Sequence, residues 1–112
     1  GGKSLTNEKR TVYSTGAISA NISKIKIEHG TADGVTVNSL TITVHSSAAD
    51  AASGSNAIAT FTPTFAANSA VEANKSGSAS WAGCYYRFVY DITVSVSSNK
   101  FIQFKKAEFY GN

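Results

Sequence analysis

One cysteine, one proline, one tryptophan and no methionine stand in a chain of 112 residues. The lone Cys84 cannot close an intrachain disulfide, so stability has to come from a core rather than from cross-links. Length permits that, because a single domain of about 100–150 residues buries roughly two-thirds of the surface its unfolded chain exposes. The scarcity of proline, with 42% hydrophobic and 11% aromatic residues, excludes a disordered chain, which lacks the apolar groups that offset ordering entropy. No apolar run approaches the ~20 residues of a membrane-spanning helix, because Ser, Thr and Lys interrupt every apolar stretch. The missing methionine leads us to expect a processed product or a module cut from a longer protein. Gly1 and Gly2 read as a processing scar, and residues 3–112 as one domain.

Catalytic patterns are equally scarce. His29 and His45 have no second histidine and no cysteine at i+2 or i+4, so no metal site is expected. Cys84, His45 and Asp50 have the residue types of a nucleophilic triad without any motif that joins them, and a free cysteine usually serves as a small buried hydrophobe. Glu28, Asp33, Asp50, Glu72, Asp91 and Glu108 are scattered, with no Asp-x-Asp spacing for calcium and no pair placed for acid/base work. Asp91 is expected to pair with Arg87 on its own strand. The chain therefore reads as non-catalytic and free of cofactors.

Ten Lys plus Arg against seven Asp plus Glu give a formal charge of +3. Lys24, Lys26, Lys105 and Lys106 would share a face if the strands that carry them pair. Outward lysines on strands more often serve solubility and edge protection, so nucleic acid is not the expected partner.

What is abundant is alternation. Residues 22–28 alternate with Ile25 and Ile27 on one face and Lys24, Lys26 and Glu28 on the other, the pattern of a half-buried strand. His29, Gly30 and Asp33-Gly34 predict a turn that sends the chain back. Leu40, Ile42 and Val44 then line one face of a second strand, with Thr41, Thr43 and His45 opposite and an irregularity at Asn38-Ser39. Residues 46–56 read as a loop, since Ser47 and Asp50 could cap only a turn and short helices are marginal without an amphipathic face. Residues 57–65 predict a strand that Pro63 confines to an edge, and a weak strand is expected near residues 70–73.

The clearest strand spans residues 85–96, where Tyr86, Phe88, Tyr90, Ile92, Val94 and Val96 share one parity, and it is expected to be central. A turn at Ser97-Ser98-Asn99-Lys100 leads into a last strand. Its apolar phase shifts from Ile102 and Phe104 to Ala107 and Phe109 across Lys105-Lys106, which predicts a β-bulge. Residues 11–18 give only an irregular strand. Short strands separated by turn residues, with no sustained helical period, predict an all-β antiparallel β-sandwich of seven or eight strands, jelly-roll-like.

Aromatic residues concentrate at Trp81, Tyr85, Tyr86, Phe88 and Tyr90. Parity sends Tyr86, Phe88 and Tyr90 into the core and leaves Trp81 and Tyr85, with Arg87 as polar neighbour, as candidates for a sugar-stacking platform. The competing assignment makes Trp81 a plug at one end of the sandwich.

Residues 22–28, 37–44, 85–94 and 99–110 resemble small β-sandwich modules of secreted and surface proteins of gut Bacteroidetes, carbohydrate-binding-like or discoidin-like in kind. The resemblance implies an extracellular or cell-surface location beside other domains of a lipoprotein or hydrolase. Two functions are expected in order: a non-catalytic accessory module that binds glycan, and a structural or protein-interaction module without a small ligand.

Overall fold

A computed structural model describes residues 5–95 and 101–111. The Gly1-Gly2 scar, the place of Val96 on the apolar face and the turn over residues 97–100 lie outside the described residues. The strands are β1 (Leu5–Tyr13), β2 (Ile22–Asp33), β3 (Val35–His45), β4 (Ala59–Phe61), β5 (Ala70–Asn74), β6 (Tyr85–Ser95) and β7 (Phe101–Gly111), with one short helix, α1 (Ala48–Ser53). They form a four-stranded sheet of order β1-β6-β3-β4 and a three-stranded sheet of order β5-β2-β7. All pairings are antiparallel, and the architecture is the sandwich-like all-β fold that the alternation predicts.

Alternating parity builds the core. Tyr86, Phe88, Tyr90, Ile92 and Val94 of β6 and Leu40, Ile42 and Val44 of β3 turn inward and meet Ile22, Ile25 and Ile27 of β2. Rings bridge the two sheets directly, with Tyr86 and Phe109 centroids 4.9 Å apart and those of Phe88 and Phe109 6.4 Å apart. Each fully buried aliphatic or aromatic side chain contributes ~1.5–3 kcal/mol, against ~0–1 kcal/mol for an exposed ion pair. The core therefore outweighs the ion pairs Lys24–Glu72 and Lys106–Glu28, which lie on the open face of the three-stranded sheet at 3.6 and 3.8 Å.

Register determines the charge of that open face. Pairing of β2 with β7 and β5 places Lys26 opposite both Glu108 and Glu72, and Glu28 opposite Lys106. The basic face that four lysines could have formed is thus interleaved with glutamates, and Lys105 falls at a register shift between Glu28 and His29, where the phase change predicts a bulge. A second shift between Val37 and Ser39 matches the expected irregularity of β3. β6 is central as expected, and β4, which ends before Pro63, is an edge strand.

Three expectations are corrected. His29 to Asp33 is not a hairpin turn: it continues β2 along β7, and β2 and β3 belong to different sheets. The chain changes sheet at Gly34, whose φ of 67° suits glycine and gives the corner between two strands that never pair. Residues 48–53 form α1 rather than loop. Ser47 caps it by accepting from Asp50 N at 3.2 Å, Gly54 ends it at φ 79°, and Ala51 is buried beneath it. Finally, β1 begins at Leu5, ahead of the irregular strand expected from residue 11, because pairing with β6 overrides the polar Asn7-Glu8-Lys9-Arg10 run.

Replacing Gly34 by Val should lower the unfolding free energy by about 1–2 kcal/mol, the cost of holding a side chain in the left-handed region. Urea unfolding checks this, and an unchanged midpoint would show that the corner tolerates another backbone conformation.

Candidate functional site

The sequence candidates divide between the inside and the outside of the sandwich. Trp81 is inside, only 4% exposed. Its ring packs edge-on against Phe61 with centroids 5.5 Å apart, and Lys75 Nζ lies 5.1 Å from its centroid. Asn21 Oδ1 ties this end together by accepting from Trp81 N at 2.9 Å and from Lys75 Nζ at 2.7 Å. Trp81 thus closes one end of the core and offers no free face for a sugar ring.

Tyr85 and Arg87 belong to the outward parity of β6 and are half-buried. Arg87 does not pair with Asp91. Four residues along a strand separate the two by ~13 Å, at ~3.3 Å per residue. Arg87 Nη1 instead donates to the carbonyl oxygens of Ala51 and Ala52 at 2.9 and 2.7 Å, satisfying the C-terminal end of α1. Gly54 makes room for this, since a Cβ there would lie 3.0 Å from Arg87 Nε. Asp91 accepts from Asn38 Nδ2 at 3.4 Å.

Beside Arg87 runs a groove of about 410 Å³ over the outer face of β1, β6 and β3, closed at one end by α1. Its walls are Lys9, Thr11, Thr41, Thr43, Ser53, Gly54, Arg87 and Val89. Antiparallel register sets Tyr13 directly opposite Arg87 on the same face, and Tyr13 is 43% exposed. The groove therefore combines hydroxyls, two cations and an adjoining aromatic ring. The outward parity of Thr41 and Thr43 was legible in the sequence. Tyr13, Lys9 and Thr11 were not, because only the pairing of β1 with β6 brings them to Arg87.

The histidines and the cysteine are engaged or buried. Ser55 O, which can only accept, lies 2.7 Å from His45 Nδ1, so that nitrogen carries a proton, and Nε2 lies within hydrogen-bond distance of Thr43 Oγ1 at 2.7 Å. His45 is fully buried, contrary to its outward parity, because the outer face is covered beside Ser55. Both of its nitrogens are engaged, so the triad of residue types with Cys84 and Asp50 is not assembled through it. Cys84 is buried, and burial raises its thiol pKa, which disfavours the nucleophilic thiolate. Among the described residues no three His, Cys, Asp or Glu side chains converge.

His29 sits in the core between Phe65, Tyr90 and Phe104, with Nε2 2.6 Å from Tyr90 Oη and Nδ1 without a partner. Burial lowers its pKa below the ordinary 6.5, and burial also raises that of Tyr90. Tyr86, whose hydroxyl is likewise unpartnered, is pushed up to about 12 by burial and by the neighbouring Cys84.

On one side of the sandwich a second, smaller cleft of about 140 Å³ opens between β1 and β7. Arg10, Val12, Tyr90, Ile102 and Phe104 line it, and Val12 is 48% and Phe104 37% exposed.

Two outcomes follow from these placements. Trp81→Ala should destabilise the domain by about 3–5 kcal/mol, the cost of deleting a buried tryptophan, with a collapsed thermal melt; a melt near wild type would return Trp81 to the surface. An unfolded chain takes up the His29 proton as pH falls through 6.5 while the folded chain resists it. Stability contributed by neutral His29 is complete above that value and declines below it, by up to ~1.4 kcal/mol per pH unit. Chemical unfolding of wild type should accordingly weaken faster than that of His29→Gln below this pH, and parallel curves would assign the acid sensitivity elsewhere. Comparison of the chain with protein-family models, with curated proteins and with solved structures finds no match.

Proposed function

We propose that this domain is a non-catalytic saccharide-binding module, an accessory unit of a larger secreted or surface protein of a bacterium. The observation that carries the proposal is the groove over β1, β6 and β3, where Thr11, Thr41, Thr43, Ser53, Lys9 and Arg87 line a concave face and Tyr13 stands exposed opposite Arg87. A pyranose presents hydroxyls around its rim and an apolar C–H face, so it needs convergent hydrogen-bonding groups and a flat apolar surface together. The groove walls supply the hydrogen-bonding groups, and Tyr13, beside Arg87 on the same face, supplies the ring. A rigid sheet holds these side chains at fixed spacing, which lowers the ordering cost of binding. The extracytoplasmic location and the accessory role rest on the resemblance of residues 22–28, 37–44, 85–94 and 99–110 to secreted modules.

A second reading has its own observation. Val12, Ile102 and Phe104 leave an apolar cleft open between the edges of the two sheets, which suits a protein partner rather than a sugar. Concentration-dependent association in light scattering, abolished by Val12→Lys, would favour it.

A glycan array probed with wild type and with Tyr13→Ala tests the first reading. Loss of one ring contact worth ~1 kcal/mol should weaken retention about fivefold while the melt stays near wild type. A blank array, or full retention by the variant, would move the function away from this face.

A further inference from the structure

We infer that the groove takes an acidic oligosaccharide, one whose carboxylate or sulfate groups meet Lys9 at one end and Arg87 at the other. This deepens the saccharide reading and rests on it. The groove walls hold two cations and no carboxylate. Three other cations have carboxylate partners, Lys24 with Glu72, Lys106 with Glu28 and Glu108, and Arg10 with Glu8, whereas Lys75 is held by the neutral oxygens of Asn21 and Ala79. Among the described residues neither Lys9 nor Arg87 has a carboxylate oxygen within 4.0 Å, although Asp91 stands opposite Lys9 in the register. The partners of Arg87 are neutral, the carbonyls of Ala51 and Ala52. They hold the guanidinium in place without cancelling its charge, so the cation is pre-positioned for an acid group.

Spacing separates the two charges into two subsites. Lys9 lies opposite Asp91 and Tyr13 opposite Arg87, so the cations are four residues apart along the strands, ~13 Å at ~3.3 Å per residue. That exceeds the ~10 Å Debye length of moderate salt, and each cation acts on its own acid group. Between them, level with Val89, the hydroxyls of Thr11 and Thr41 supply donors and acceptors for the ring hydroxyls of a chain longer than one sugar. Single-stranded nucleic acid would also answer to the charge. It is disfavoured because sequence-tolerant binding of bases needs successive stacking rings, and the groove walls themselves hold no aromatic side chain, while the opposite sheet face pairs its lysines with glutamates.

The test measures affinity of the full chain for polygalacturonate, dextran sulfate, neutral galactan and oligo-dT, with Lys9→Gln and Lys9→Arg beside wild type. Lys9 is exposed on an edge strand, and a thermal melt verifies that each variant folds. The expected result is binding to one or both acidic polymers, weakened by added salt, with neutral galactan at least about tenfold weaker. Lys9→Gln should lose about tenfold on the acidic polymer and Lys9→Arg should retain it. Equal affinity for galactan would overturn the acidic preference and leave the saccharide reading standing. Binding to no polysaccharide would end both, tighter binding to oligo-dT would replace the sugar by nucleic acid, and undiminished binding by Lys9→Gln would remove the acid subsite from Lys9.

Discussion

The apolar face of β6 is the constraint on which everything else depends. Tyr86, Phe88, Tyr90, Ile92 and Val94 form an unbroken inward row on a strand paired on both sides, by β1 and by β3. That row also touches β7 of the other sheet through Phe104 and Phe109. Removing it from water joins the two sheets and sets the register of β3, because a slip by one residue would turn Leu40, Ile42 and Val44 to solvent. The same alternation dictates the back of the strand. Once the even residues of β6 are inside, Arg87, Val89 and Asp91 must face out, and the strands paired to β6 add Thr41, Thr43, Lys9, Thr11 and Tyr13 to that face. The candidate groove is therefore the reverse side of the core rather than an independent construction.

The two sheets solve their outer faces differently. The three-stranded sheet interleaves Lys24, Lys26 and Lys106 with Glu28, Glu72 and Glu108, which leaves its surface locally neutral. The four-stranded sheet is rich in threonine, and among the described residues neither Lys9, which stands opposite Asp91 in the register, nor Arg87 has a carboxylate oxygen within 4.0 Å. Arg87 joins stability to the groove, since α1 docks on the sheet by placing its last carbonyls on the guanidinium. Hydrogen bonds from a charged donor to such carbonyls are among the stronger ones in a protein, which explains why a helix of six residues persists here.

Burial of polar groups marks where the core is least settled. His29 and Tyr90 share one short hydrogen bond of 2.6 Å and leave His29 Nδ1 unanswered, and Tyr86 Oη is unanswered as well. Unsatisfied buried donors and acceptors cost roughly 1–3 kcal/mol each, so these positions draw down the stability that the isoleucines of β2 contribute. The aromatic shell of Phe65, Tyr90 and Phe104 makes His29 a neutral core residue, not a ligand.

The strands with regular alternation were legible in the sequence: β2 through Ile25 and Ile27, β3 through Leu40, Ile42 and Val44, β6 through its tyrosines and phenylalanines, and the bulge of β7 through the phase change at Lys105. Period-two patterning is a local property, and it determined the all-β class, the alternating core rows of β2, β3 and β6 and the outward placement of Arg87. Strand pairing is not local. Whether Gly34 begins a hairpin or a corner between sheets, whether Asn7-Glu8-Lys9-Arg10 extends a strand, and whether Tyr13 meets Arg87 depend on contacts between residues far apart in the chain. Trp81 shows the same division, for its ring could equally have capped the core or faced a ligand until Phe61, Asn21 and Lys75 enclosed it. The sequence by itself determined which alternating residues of β2, β3 and β6 avoid water; only the tertiary structure decided that His45 and Trp81 join them and which of the others meet on one face, because that follows from register between distant strands and not from the order of side chains along any one of them.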